Sequence, residues 1–177
     1  MNRKWIFVAL LCAAIPTLAF GQAEALNPAQ LRIQKEVRHE LLMLPYFGVF
    51  DNISYQVQGS TVSLFGDVTR PTLKSDAGNV VKHIEGVDQV VNKINVLPLS
   101  PMDDGIRIKL FRAIYGFPSM EKYALGVQKP IRIIVNNGQV TLTGVVDSEA
   151  DKNVAGIRAN SVSGVFSVTN NLNVAPQ

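Results

Sequence analysis

Catalysis by side chains needs a nucleophile beside a base, a working pair of carboxylates, or a bound metal. The 177-residue chain is poor in all three. Its one cysteine, Cys12, lies in an apolar stretch near the N-terminus, and its two histidines, His39 and His83, are scattered and unpaired. It has no glycine-flanked serine elbow and no phosphate-binding glycine loop. Asp103 and Asp104 are adjacent, but they open a predicted helix, where the macrodipole favours acidic side chains. The residues therefore predict no catalytic site, no metal centre and no cofactor.

Binding chemistry is better represented. Two predicted helix-to-strand turns are apolar and aromatic where polar residues would be usual. One reads Leu44-Pro45-Tyr46-Phe47-Gly48-Val49-Phe50; the other reads Ile114-Tyr115-Gly116-Phe117-Pro118, with Met120 and Tyr123 beyond it. The preceding helices carry basic residues on one face, Arg32, Lys35 and Arg38 in the first and Lys109 and Arg112 in the second. An aromatic tip beside a basic face suits the headgroup boundary of an anionic bilayer. The candidate binding residues are Tyr115, Phe117, Arg112, Lys109, Tyr46 and Phe47, with the second turn favoured for its longer loop. The competing reading is structural: such aromatics plug the end of a small core or fill an interface between modules, and Glu36 and Glu40 dilute the basic face of the first helix.

An internal duplication must hold these turns in place. Residues 53–98 superimpose without gaps on residues 131–176 at a constant offset of 78. Identities include Val62/Val140, Leu64/Leu142, Gly66/Gly144, Ala77/Ala155, Gly86/Gly164, Val90/Val168 and Asn92/Asn170. Each copy has a strand of period two, a hairpin turn at Gly59-Ser60 or Asn136-Asn137-Gly138, a second strand, a helix, and a third strand. Gly66 and Gly144 fall on the inward parity and mark a bulge or a close approach of the helix. Gly86 and Gly164 are expected to end the helix. The recurring Asn92 and Asn170, also on the inward parity, need hydrogen-bond partners and are read as structural.

A second amphipathic helix precedes each copy, over about residues 28–44 and from Asp103 or Asp104 onward. The predicted class is α+β: two tandem αββαβ modules, each a three-stranded mixed sheet covered on one face by two helices. The modules span residues 28–98 and 103–177, with a linker at 99–102.

The N-terminus is of another kind. Arg3 and Lys4, an apolar run from Trp5 to Ile15 and then small residues have the pattern of a secretory signal peptide over residues 1–25, with cleavage after Gly21 or Ala25. The run is about a dozen residues, short of the roughly 20 of a spanning helix. Cleavage removes Cys12, so neither a disulfide nor a thiolate metal site is expected. Loss of Arg3 and Lys4 takes the formal net charge from +3 to +1, and loss of Glu24 as well returns it to +2. That excess is too small for a nucleic-acid binder.

The ordered pattern V-x-L-x-G-x-V, a helix, then G-V-x-x-V-x-N-x-[IL]-x-V occurs at residues 62–68 with 86–96 and again at 140–146 with 164–174. In this the chain resembles the BON domain (bacterial OsmY and nodulation) family. The resemblance implies the αββαβ fold, a periplasmic or outer-envelope location and no enzymatic activity. It also implies phospholipid binding and a part in envelope integrity or stress tolerance. Leu11 before Cys12 departs from a lipid-attachment signal, so lipoprotein anchoring is not expected. Anionic phospholipid is the expected partner. The alternatives are a chaperone-like or protein-interaction module acting on envelope proteins, and an oligomer joined through the aromatic turns.

Overall fold

The structure, a computed structural model, describes residues 28–126 and 128–176. The expected signal segment lies outside the described residues. The first module runs α1 (Pro28–Leu42), β1 (Asn52–Gln58), β2 (Thr61–Val68), α2 (Pro71–Lys82), β3 (Gln89–Asn92) and β4 (Asn95–Val96). The second runs α3 (Pro101–Tyr115), a 3-10 segment (Pro118–Ala124), β5 (Ile131–Asn136), β6 (Gln139–Val146), α4 (Glu149–Asn160) and β7 (Ser167–Val174).

In each module the central strand pairs antiparallel with the first and parallel with the last. The duplication extends to register: Ile53 pairs Gly66 as Ile131 pairs Gly144, and Val62 faces Val90 as Val140 faces Val168. β3 and β4 are two halves of the expected third strand, since Lys93 between them still donates to the Leu64 carbonyl at 2.8 Å and the register with β2 is unbroken. Residues spaced by a helical turn bury one stripe of each first helix, Ile33, Val37 and Leu41 in α1 and Ile106, Leu110 and Ile114 in α3. These stripes meet the inward residues of each sheet, so each module has its own core.

Three local expectations are corrected. The close approach at Gly66 and Gly144 comes from the neighbouring strand, not the helix: a Cβ there would lie 2.1 Å from the Asn52 carbonyl oxygen and 1.9 Å from that of Pro130. Gly86 and Gly164 do not end the helices, which stop at Lys82 and Asn160. They occupy the third position of the following four-residue turn, closed by Val87 N–H to Ile84 and Val165 N–H to Val162, with the positive φ that position favours in glycine. Pro101 and Met102, assigned to the linker, form the first turn of α3, whose N-cap is Ser100.

The loop after α1 crosses to the second module. The Ile133 N–H donates to the Val49 carbonyl (2.9 Å), Arg132 donates to the Gly48 carbonyl (2.7 Å), and Gln128 donates to the Leu42 carbonyl (3.0 Å). Val49 and Phe50 pack against the second core, with Phe50 edge-on to Phe111. β5 is the outer strand of its sheet. This loop covers a stretch of edge that would otherwise offer unpaired backbone groups.

Candidate functional site

The two aromatic turns have different fates. Tyr115 is 3 % exposed, and its hydroxyl donates to the Ile131 carbonyl (2.6 Å) and accepts from the Ile131 N–H (3.1 Å). Desolvation pushes its phenol well above the ordinary value. Met120 and Tyr123 are buried as well. The extra length of this loop folds into the 3-10 segment and closes the core, so the expected exposed tip in the second module is not there and Tyr115 is unavailable for a surface contact. Phe117 is half-buried beneath the Arg158 guanidinium, 4.8 Å from its ring centre. Phe47 is half-buried with Arg132 at 4.5 Å. Tyr123 also does a job that a carboxylate does in the first module: Thr69 N–H bonds Asp51, whereas the equivalent Asp147 N–H bonds the Tyr123 hydroxyl, each at 2.7 Å.

Tyr46, Lys109 and Arg112 remain exposed. Tyr46 is 75 % exposed and held at φ 65°, a left-handed conformation costing on the order of 1–2 kcal/mol for a residue with a Cβ. The Arg70 guanidinium lies 4.8 Å from its ring centre. Arg70 in turn lines a groove of about 360 Å³ at the junction of the two modules. Phe50, Leu97, Pro98, Leu99 and Ile108 supply its apolar lining; Thr69 and Arg70 from the first module and Asp104 and Arg107 from the second supply its polar lining. Leu99 is 94 % exposed and Ile108 is 50 % exposed. Arg112 follows Ile108 by one turn of α3, and so shares its side of the helix. Arg70, Lys109 and Arg112 make no ion pair among the described residues, whereas Asp104 is held by Arg107 at 2.5 Å.

Arg70 also stands at the N-cap of α2. That helix has Pro71 in its first turn, no capping side chain and no acidic residue in its first turn. The equivalent start of α4 has Ser148 accepting from the Asp151 N–H (3.1 Å), with Glu149 and Asp151 behind it. Composition and periodicity do not single out Arg70, Leu99 or Ile108. The available signal was the mismatch between copies, Arg70 against Ser148.

The fold brings both histidines to one cleft between α1 and α2, beside Glu36, Glu40 and Glu85. Among the described residues, however, no cluster of three or more histidine, cysteine or acidic side chains could hold a metal ion. No helix among them is long and apolar enough to cross a membrane.

At the module junction, then, apolar side chains meet Arg70, which has no ion pair among the described residues. The BON domain model matches residues 30–98 and 122–176, and the chain belongs to the BON domain family. That family comprises envelope-associated, non-enzymatic domains of phospholipid-binding type. Among solved structures, the C-terminal domain of CdsD, a structural protein of the type III secretion system of Chlamydia trachomatis, is similar at 13 % identity, with 83 % of this chain and 99 % of that one covered and a TM-score of 0.30. A second CdsD structure matches at 12 % identity over 82 % and 93 %, also with a TM-score of 0.30. Neither likeness bears on function at that score. No curated protein sequence matches the chain.

Proposed function

We propose that this is an exported, non-enzymatic protein of the periplasm or outer envelope that binds anionic phospholipid surfaces and supports envelope integrity or stress tolerance. The contact is the junction face. The observation that carries the reading is Tyr46, an exposed aromatic kept in a strained backbone conformation, with over its ring an arginine that makes no ion pair among the described residues. Exposed strain of this kind points to use rather than to packing. Leu99 and Ile108 extend the apolar part, while Lys109 and Arg112, both expected from the sequence, extend the basic part.

The magnitudes fit a weak, reversible contact. Each cation near an anionic surface contributes about 1 kcal/mol, and full burial of an aromatic or aliphatic side chain adds roughly 1.5–3 kcal/mol. Against these stands the loss of translational and rotational freedom on binding. The electrostatic share weakens with salt.

The test is co-sedimentation with phosphatidylglycerol vesicles at low and high salt, with phosphatidylcholine vesicles as the neutral comparison. Binding to the anionic vesicles is expected to fall with salt and to be lost in Tyr46→Ser/Leu99→Ser. No co-sedimentation at any salt sinks the reading. Capture of an unfolded client protein with no lipid preference would favour the chaperone-like alternative.

A further inference from the structure

We infer that the outer edge of β1 receives an extended peptide of a partner protein, one with alternate apolar residues and a carboxylate, which joins the first sheet as an added strand. The inference does not rest on the lipid reading, and the surface it uses shares no lining residue with the junction groove.

The duplicated fold supplies its own control, because the second module shows a closed edge. On the outer side of β5 the Tyr115 hydroxyl meets both the N–H and the carbonyl of Ile131. The Ile133 N–H is met by the Val49 carbonyl (2.9 Å) and the Val135 carbonyl by Arg107 Nη2 (2.7 Å). The equivalent residues of β1 are Ile53, Tyr55 and Val57. The Leu64 carbonyl turns away from β1 to accept from Lys93 N–H. Its ladder partner Tyr55 is therefore a non-bonded pair, whose own N–H and carbonyl face outward. Ile53 and Val57, two residues to either side, face the same way. None of the three has a backbone partner on that side among the described residues.

The difference between the copies lies in two side chains. Ile33 and Ile106 meet Gly86 and Gly164 alike; counted from them, Leu42 stands where Tyr115 does and Gln34 where Arg107 does. Leu42 has no hydroxyl to offer, and Gln34 lacks the reach of an arginine. The last strands are guarded by Asn92 and Asn170, which take up the Ile94 and Leu172 N–H. β1 has no such guard. It runs Asn52–Gln58 with no charged residue, no proline and no break in register, the devices by which edge strands are ordinarily kept from pairing.

The surroundings of the edge set the occupant. A furrow of about 320 Å³ lies between α1 and β1, with Leu41, Phe47, Ile53 and Tyr55 as apolar lining and Arg38 and Arg132 as its charges. It has no acidic lining, and neither arginine makes an ion pair among the described residues. In strand addition the main chain supplies affinity and the side-chain pockets select alternate residues, so the furrow asks for apolar side chains on one face of the peptide and a carboxylate at the arginines. The segment that covers β5 is of that kind, Gly48-Val49-Phe50-Asp51. A second copy of β1 is not, because two-fold pairing of the edges brings the arginines of both copies to one seam without a carboxylate.

The experiment titrates the full chain with the peptide acetyl-Thr-Val-Thr-Val-Thr-Val-Asp and follows hydrogen exchange at single amides by NMR. The Ile53 and Tyr55 amides are expected to slow roughly tenfold or more on saturation, while those of Ser54 and Gln56, already in the ladder, stay as they were. Methylating one alternate set of peptide nitrogens should abolish binding and methylating the other should not. Ending the peptide in asparagine amide should weaken it by roughly fivefold, the worth of an exposed ion pair, and Arg38→Glu, a change at an exposed position, should shrink that difference. No binding at millimolar peptide, binding that leaves both amides unprotected, or equal loss from the two methylations overturns the added strand. Equal affinity for the two peptide ends overturns the carboxylate. Protection of the same amides in the free chain, with a dimer in sedimentation, gives the edge to a second copy and overturns the partner peptide.

Discussion

The Tyr115 hydroxyl satisfies two backbone groups at once, the N–H and the carbonyl of Ile131 at the buried end of β5. Removing it leaves both without that partner, at a cost of about 1–3 kcal/mol. Tyr115→Phe should therefore lower the midpoint of urea unfolding while leaving vesicle binding unchanged; a loss of lipid binding at unchanged stability would return this residue to the surface. Asp151 gives a pH dependence. Desolvation alone would raise its pKa, but hydrogen bonds from Lys122 (3.0 Å), Tyr123 (2.8 Å) and Ser148 (2.9 Å) outweigh it and hold the carboxyl below the usual range. Asp147, 2.8 Å from Lys122, is lowered by the same ammonium. A carboxyl with a lower pKa folded than unfolded contributes stability that is present above its unfolded value, about 3.9, and is lost as pH falls through the folded one. The thermal unfolding midpoint should therefore fall as the pH drops below the ordinary carboxylate range, and less steeply in Lys122→Met. Parallel profiles for the two proteins would refute the assignment.

Between elements, one asparagine ties each third strand to its helix. Asn92 Nδ2 donates to the Lys74 carbonyl and Asn170 Nδ2 to that of Lys152, both at 2.7 Å, while their Oδ1 atoms accept from Ile94 and Leu172 N–H. Ala175 N–H donates to Val146, so the alternate amide of Leu172 faces the open edge of β7, and Asn170 covers it there, a guard against edge-to-edge pairing. The helix can come this close because it carries glycine: a Cβ on Gly78 or Gly156 would lie 2.9 Å from the asparagine nitrogen. Gly156→Ala should destabilise the protein, and less so in an Asn170→Ala background, giving a coupling of at least about 0.5 kcal/mol in a double-mutant cycle; strict additivity would rule the contact out. The asparagines were legible as structural from their parity and recurrence. Their glycine partners were not, because a glycine beside Ala77 or Ala155 leaves no mark on helical periodicity. Similarly, V-x-L-x-G-x-V flagged a close approach at Gly66 but not its source, since only strand pairing brings up the Asn52 carbonyl. The aromatic turns could be read as turns, yet which would be exposed depended on a tertiary event, the folding of residues 118–124 onto the core. The same kind of pattern thus led to an exposed residue at Tyr46 and to a buried one at Tyr115.

For the molecule as a whole, the question is whether two small modules behave as one. Each is of a size whose core is marginal for independent stability. Arg132 stands at the centre of what joins them: it donates to the Gly48 carbonyl and to Gln128 Oε1 (3.1 Å) and lies over the Phe47 ring. Desolvation pulls its pKa down from the ordinary guanidinium value, partly opposed by Tyr115 and Asp51. A half-buried arginine held by carbonyls and a ring, with no ion pair among the described residues, is a costly way to fill a seam unless the seam itself matters. The adjacent Val49–Ile133 bond and the Phe50–Phe111 contact depend on the same loop geometry. Arg132→Ala should loosen that loop and let the modules unfold separately. In calorimetry the parent protein is expected to melt in one transition with van't Hoff and calorimetric enthalpies in agreement. The variant should melt in two, or in one broadened transition whose van't Hoff enthalpy falls short. Its vesicle binding should fall as well, although Arg132 does not line the groove, because a groove with one wall from each module cannot survive their separation. Two transitions already present in the parent would refute the coupling, and intact lipid binding by a decoupled variant would place the lipid contact within a single module.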